Sequence, residues 1–564
     1  MLELDKIQSN ILRGFRRGSD PAYEHFVFLH FKQEQGARSF VEQLLPLVTS
    51  CRDYDQGVGC VLNLGLTYPA VDLFGHGGEA RALDGRDDEA TETVEAFMQG
   101  MRARAESILG DIEQSAPSRW EKAYREQTDE EQIHAVVCLN AGPGKQAELR
   151  STLAKVEAAL EAHADAVTRL HDEQAEGFSG PYAGTEQFGY ADGIAQPTIL
   201  ESGSGGYPGD GTPRKRRGWD PLQPGEFVLG QTDELGQVPF RSSFFNNGSF
   251  MVFRKLQQHV GRFRDYVGDV ARRKGVTPEY VGAKMIGRWP SGAPLMLAPH
   301  ADDPDLAADP ERNNDFRFAD DPKGVRCPFG SHIRRNNPRE DPTGPGAVQT
   351  RLHRIIRRST PYGPRLPEGQ PEDGVERGVI FVVINANIAR QFEFVQQNWV
   401  NSVLSSTVLT LPQDRDPIIG QQLPSKGSEA RYQGKFLIPS SKRKEAPIIT
   451  WNLPTFVTTR GGAYFLLPSL DALWNVAHGK DCPGKGNEPE QATASEQPAE
   501  PTEPAQPVET RDPVEPAEST EPAQPVETGG PAEPAEPAEL AEPAEPAEPA
   551  GGPTGATLPE SGEA

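Results

Sequence analysis

From about Gly484 to Ala564, proline recurs at every third residue over long stretches, as in PAEPAEPAEP, and TEPAQPVET occurs twice, at 502–510 and 520–528. Proline removes backbone donors and favours extended polyproline II, while evenly spaced glutamates repel one another. With almost no large apolar side chains such a segment cannot bury a core. Residues 484–564 are therefore expected to form a disordered acidic tail, solubilising in its simplest role, and the fold has to be made by what precedes it. The tail also distorts the charge balance. From Asn487 onward there are 19 acids and one base, Arg511, so −18 of the total of −25 lies here and the remainder carries only −7.

A mildly acidic folded part argues against nucleic acid as a main partner. Five cysteines (Cys51, Cys60, Cys138, Cys327 and Cys482) are scattered, odd in number and without CxxC spacing. That disfavours a disulfide scaffold or a structural zinc site and suits a reducing compartment. The opening MLELDKIQSNILRGF has no apolar signal region, and no run reaches bilayer-spanning length. The expectation is a cytoplasmic protein with no membrane partner.

Apolar β-rich runs alternate with helical patterns in both halves. HFVFLHF (25–31) reads as a strand before a helical stretch near 37–48, and AVVCLNA (135–141) precedes helical KQAELRSTLAKVEAALEAHA (145–164). GSFMVFRKLQQHVGRFRDYV (248–267) and GVIFVVINANIARQFEFVQQNWVN (378–401) repeat the order strand, then helix. Recurring units of this kind predict two related α+β domains. The long Gly-, Pro- and Asp-rich loops near 201–245 and 300–350 are of the length that usually carries function.

Four segments carry candidate chemistry. EQFGYADGIAQP (186–197) sets Asp192 between Gly189 and Gly193, either as a solvent turn with an incidental acid or as a platform pressing a carboxylate against a ligand. CPFGSHIRRNNPR (327–339) holds His332 with no second ligand at chelating spacing, which disfavours zinc. One protein ligand suffices when a macrocycle supplies the other four, as in haem. Arg334 and Arg335 beside it either meet haem propionates or are solvated charges. HRIIRRSTPYGP (353–364) suggests a strand end that sends one of Arg357 and Arg358 inward and the other outward. Glu393 lies on an apolar face of INANIARQFEFVQQNWVN (384–401) and needs a partner, either the second nitrogen of a ligating histidine or a structural salt bridge.

Taken in order, these segments resemble the dye-decolourising (DyP-type) haem peroxidases, in their long-loop branch. The GxxDG signature matches Gly189–Gly193, and the other segments match the proximal-histidine, distal-arginine and helix motifs. IQSNILRGF, PGEFVLG, NGSFMVFRKL and GRWPSGAPL add support. The likeness runs from about residue 5 to 478. Two small departures are IQSN for the usual IQGN and Ser331 for the commoner Ala.

The resemblance implies two ferredoxin-like domains with antiparallel sheets and flanking helices, over 1–200 and 201–483, followed by the tail. It implies one haem b per chain with His332 as axial iron ligand made more anionic by Glu393. Arg334 would serve the cofactor too, while Gly189 and Gly193 let the backbone approach the porphyrin. Asp192 and Arg357 would be the catalytic pair that cleaves hydrogen peroxide, leading through a high-valent state to oxidation of dyes and phenolic or other aromatic reductants, best at acidic pH. Tyr190, Tyr362 and Trp399 are candidates for surface radicals, and homo-oligomers are common among relatives. The alternatives are a haem carrier or iron-releasing protein, and a scaffold that uses the acidic tail to engage a partner.

Overall fold

The run HFVFLHF has no polar alternation, the mark of a strand covered on both faces. It forms β1 (Tyr23–Phe31), which is buried from His25 to Phe31, both histidines included. The computed structural model describes residues 2–479 apart from 15–21, 85–88, 241, 341–348, 403–413, 426–427 and 441–444. The tail of 484–564 and Cys482 lie outside the described residues.

In the N-terminal half, β1 is followed by α1 (Glu34–Leu44), β2 (Cys60–Leu66), α2 (Glu89–Arg104), β3 (Ala135–Ala141), α3 (Gln146–Ala162) and β4 (Val167–Glu176). Helix α1 ends earlier than its apolar pattern suggests, because Pro46 falls in the tight turn Leu45–Leu47 that follows it. In the C-terminal half come β5 (Ser249–Gln258), α4 (Val260–Lys274), α5 (Pro278–Ile286), α6 (His332–Asn336), β6 (Ile356–Arg357) and β7 (Gly378–Asn385). A helical stretch wound in wide turns over Ile388–Glu393 and Val395–Val400 leads on to β8 (Val457–Leu467) and α7 (Leu470–His478).

The strands make one antiparallel sheet of nine, ordered β4-β1-β3-β2-β8-β5-β7-β6, with Thr360–Tyr362 also pairing with β7. Each half taken alone has the strand order fourth-first-third-second of a β-α-β-β-α-β unit, the ferredoxin-like pattern. The halves join where β2 meets β8, at the pair Leu66 and Leu466. Gly65 packs closely here, where a Cβ would lie 3.1 Å from both the Phe465 and Val136 side chains.

One apolar core runs through the seam. Phe253 of β5 packs edge-on against Phe26 and Phe28 of β1, with ring centroids 5.1 Å apart in both pairs. Each fully buried phenylalanine of this kind contributes about 1.5–3 kcal/mol. Helix α7 returns to the N-terminal half, where Leu470 N–H donates to Lys6 O at 2.9 Å and Arg38 donates to Val476 O. The repeat in topology is thus not a division in packing. No helix among the described residues is long and apolar enough to cross a membrane.

His134, just before β3, is 8 % exposed and accepts the Phe31 N–H on Nδ1 at 2.9 Å. Burial, with the neighbouring His30 adding, pulls its pKa down to about 4. The folded state sheds a proton that the unfolded chain keeps below about 6.5. This stability is therefore complete above pH ~6.5 and is lost as pH falls from there through 4. We expect Tm to drop over that range and His134→Asn to flatten the drop, read from thermal unfolding at a series of pH values.

Candidate functional site

The loop before Asp192 is shaped by a buried carboxylate. Glu186 accepts the N–H groups of Phe188 at 2.8 Å and Tyr190 at 3.0 Å, and Gln258 Nε2 of β5 at 2.6 Å. Burial raises its pKa against those hydrogen bonds. Gly189 and Gly193 have φ of +96° and +83°, a region closed to most side chains. A Cβ on Gly189 would meet nothing within 4 Å, so it is the sign of φ, not space, that calls for glycine there. Ala191, Asp192 and Ala195, not the two glycines, line the cavity beneath the loop.

Asp192 Oδ1 accepts the Gly193 N–H at 2.6 Å and Arg357 Nη1 at 3.3 Å. Arg357 Nη2 also donates to Ile194 O at 2.7 Å, and Gln196 exchanges two hydrogen bonds with the Arg357 backbone. Strand β6 sends Arg357 into the cavity and Arg358 the other way, where its Nε donates to Arg13 O at 2.9 Å. A Cβ on Gly14 would sit 2.8 Å from that Nε.

His332 opens α6 and lines the same cavity. Asp321 anchors its approach by accepting the N–H groups of Val325, Arg326 and Cys327 at 2.9–3.1 Å. His332 Nδ1 is 2.9 Å from Asp416 Oδ2, whose carboxylate also takes Asn336 Nδ2 at 2.7 Å and the N–H groups of Ile418 and Ile419 at 2.9 Å. Asp416 is fully buried, which by itself would raise its pKa; the charge and hydrogen bond of His332 and the Ile419 N–H hold it below the ordinary value. With Nδ1–H donating to a carboxylate, the neutral ring keeps its lone pair on Nε2.

A second wall of the cavity is cationic. Arg288, Arg339 and Arg354 line it, each less than a tenth exposed. Their hydrogen bonds go mainly to backbone carbonyls, those of Gly292 and Asn313, of Asn314 and Phe316, and of Gly211 and Asp210. Burial lowers all three pKa values, to about 10, 9 and 10, and the neighbouring arginines lower them further. Held this way, the positive charge is poorly compensated and calls for an anion. Apolar side chains (Ile333, Phe381, Val395, Ile418) complete the lining. A flat tetrapyrrole with two carboxylates fits this set: a free imidazole nitrogen, apolar faces and a cationic edge.

Several sequence-based expectations need correcting. Glu393 does not meet His332. Arg104 of α2 grips it at 2.7 and 2.8 Å and Tyr464 of β8 donates to it at 2.9 Å. The acid that meets His332 is Asp416, 84 residues from it in a loop whose sequence, RDPIIG, carries no recognisable signal. Arg334 is turned away from the cavity, bonded to Asp321 at 3.1 Å and Cys327 O at 2.7 Å and stacked 4.2 Å from the Phe329 ring centroid. Arg335 is spent on Trp399 O and Ser402 O. The cationic wall of the cavity is made instead by Arg288, Arg339 and Arg354. Tyr190, Tyr362 and Trp399 are all 7–8 % exposed, so none presents its ring at the surface. A possible metal cluster of Glu121, His171 and Glu173 is filled by an internal cation, with Lys255 Nζ 2.9 and 3.0 Å from the two carboxylates.

No protein-family profile matches the chain. It is 33% identical to a dye-decolorizing peroxidase of Mycena epipterygia and 32% identical to peroxidase 2 of Mycetinis scorodonius, each match covering 84% of this chain and 87–88% of the relative. It is 31% identical to a multifunctional dye peroxidase of an Amycolatopsis species over 83% of this chain and 95% of the relative. Among solved structures, an ancestral D-type dye-decolorizing peroxidase superposes with a TM-score of 0.68 at 29% identity, covering 84% of this chain and 99% of the other. A dye-decolorizing peroxidase bound to 2,6-dimethoxyphenol superposes at 0.67 and 29% identity over 85% and 100%.

The corrected partners make a clear test. Glu393→Ala strands the part-buried Arg104 and should cost about 3–5 kcal/mol of stability, measured by urea denaturation. The visible spectrum of the haem-loaded variant should stay as in the parent, since no contact to His332 is lost.

Proposed function

The chain belongs to the dye-decolorizing peroxidases, hydrogen-peroxide-dependent haem oxidoreductases, and on that premise we propose that it binds one haem b with His332 Nε2 as axial ligand. The observation that carries the reading is a single cavity lined by both the Asp416-oriented His332 and the Asp192–Arg357 pair. The poorly compensated arginine wall supports Arg288, Arg339 and Arg354 as the holders of the propionates. Haem bound there would supply the iron at which the peroxide O–O bond is cleaved and would store the two oxidising equivalents.

The protein's own residues do the proton and charge work. Asp192 takes the proton from one peroxide oxygen and delivers it to the other, which leaves as water. Arg357 stabilises the negative charge growing on the leaving oxygen; its double anchoring to Asp192 and Ile194 O means it need not reorganise to do so. Asp416 fixes the His332 tautomer and adds anionic character to the ring. The reductants are dyes and phenolic or other aromatic compounds, as the names of the relatives suggest. Retention of Asp192 and Arg357 counts against a haem carrier, which needs neither. We also place the protein in the cytoplasm, on the free Cys51, Cys60, Cys138 and Cys327, and retain the division at 1–200, 201–483 and 484–564.

Stopped-flow mixing of the haem-loaded protein with hydrogen peroxide tests the reading. Asp192→Asn should slow the peroxide reaction by about 10²–10⁴ and Arg357→Leu by about 10²–10³. His332→Ala should lose the five-coordinate ferric spectrum. Asp416→Asn should weaken haem affinity or activity about 10–100-fold and raise the ferric/ferrous midpoint potential. A carboxylate base stays ionised down to about pH 4, so turnover should peak at mildly acidic pH. Asp192→His should move the acid limb of the pH–rate profile up by about 2.5 units; an unmoved limb would exclude residue 192 as the base.

A further inference from the structure

The sequence PRKRRGWD (213–220) sets four consecutive cations in an otherwise mildly acidic body. They form the exposed tip of a small hairpin whose two arms are Thr212–Pro213 and Trp219–Asp220. Like charges this close repel, yet the tip is braced: Arg317 donates to the carbonyls of Arg214 and Arg216 at 2.6 Å. Asp220 neutralises Arg214 at 2.6 Å. Among the described residues no acid pairs with Lys215, Arg216 or Arg217, and all three are exposed.

Beside them stands Trp219, half-exposed, its indole N–H held by Asp315 at 2.8 Å. The Arg339 guanidinium lies 5.5 Å from the Trp219 ring centroid and itself lines the cavity. Trp219, in one arm of the hairpin, thus reaches the cavity wall through one arginine side chain. Lys215, Arg216 and Arg217 precede in sequence a half-exposed indole that is approached by the Arg339 guanidinium and, at 5.8 Å, by that of Arg317. Such a set matches a small planar anion, the charges taking a sulfonate or carboxylate and the indole offering an aromatic surface. A nucleic acid suits the patch less well, since the tip can neutralise few phosphates and the body around it is net acidic.

We propose that Lys215, Arg216 and Arg217, with Trp219, form a docking site that selects anionic aromatic substrates over neutral ones. The inference rests on the peroxidase reading for the fate of the substrate, but not for its binding. Docking by three exposed charges is electrostatic and therefore screened by salt, the screening length shrinking to a few ångströms near 1 M.

The test uses full-length, haem-loaded protein and the triple variant Lys215→Gln, Arg216→Gln, Arg217→Gln. Turnover is measured with a sulfonated anthraquinone dye and with 2,6-dimethoxyphenol, which is uncharged. Dye binding is also titrated without peroxide, each at low salt and at ~0.5 M salt. The triple variant should raise the KM and Kd for the dye roughly tenfold at low salt, leaving kcat and all phenol parameters unchanged. High salt should bring the parent to the variant's values. Unchanged dye KM and Kd with normal phenol turnover would overturn the docking site and leave the peroxidase standing. If neither substrate is oxidised, the peroxidase reading falls and the peroxide-free titration alone decides the docking. Binding of a single-stranded DNA oligonucleotide tighter than the dye, and lost in the variant, would assign the patch to nucleic acid and overturn the proposal.

Discussion

The hydrogen bond from His332 to Asp416 is the contact on which the geometry of the cavity turns. An imidazole with both nitrogens uncommitted can rotate and exchange tautomers; one tied through Nδ1 to a buried carboxylate can do neither. Asp416 is suited to the task because its other contacts are rigid: two consecutive backbone N–H groups and the Asn336 amide saturate it. Its partner in turn sits at the start of α6, held by the Asp321 turn. The result is a histidine nitrogen aimed by a side-chain carboxylate that backbone N–H groups hold in place.

The rest of the cavity can be read as stored electrostatic imbalance. Arg288, Arg339 and Arg354 are buried together with too few carboxylates, a costly arrangement unless an anion answers it. Burial of unpaired charge persists only where something else supplies the opposite sign. The same logic, at the surface and at lower cost, applies to the hairpin tip of residues 214–217, whose cations are solvated instead of buried. Closing two ferredoxin-like halves into one nine-stranded sheet leaves β5, β7 and β8 free to present Arg254, Phe381 and Thr459 to the cavity on one face while packing phenylalanines on the other.

Much of this was legible in the chain. The apolar runs at 25–31 and 135–141 are strands within two residues, and the stretches 248–267 and 378–401 each begin with a strand and continue into a helix, because a continuous β-branched and aromatic run covered on both faces leaves little alternative. The Arg357–Arg358 pair splits to opposite faces as the strand period demands. Glu393 misled for an instructive reason. It looks like a buried acid in need of a cation, which it is, but the cation is Arg104, 289 residues earlier on α2.

What the sequence determined by itself was local: period, turn chemistry and the φ-positive glycines around Asp192. Those properties depend on neighbours within a few residues. Which acid meets which base depends on the meeting of segments far apart in the chain, and pattern carries no record of that distance. Asp416 beside His332, Arg104 beside Glu393 and Arg339 between the cavity and Trp219 were therefore decided only by the tertiary structure.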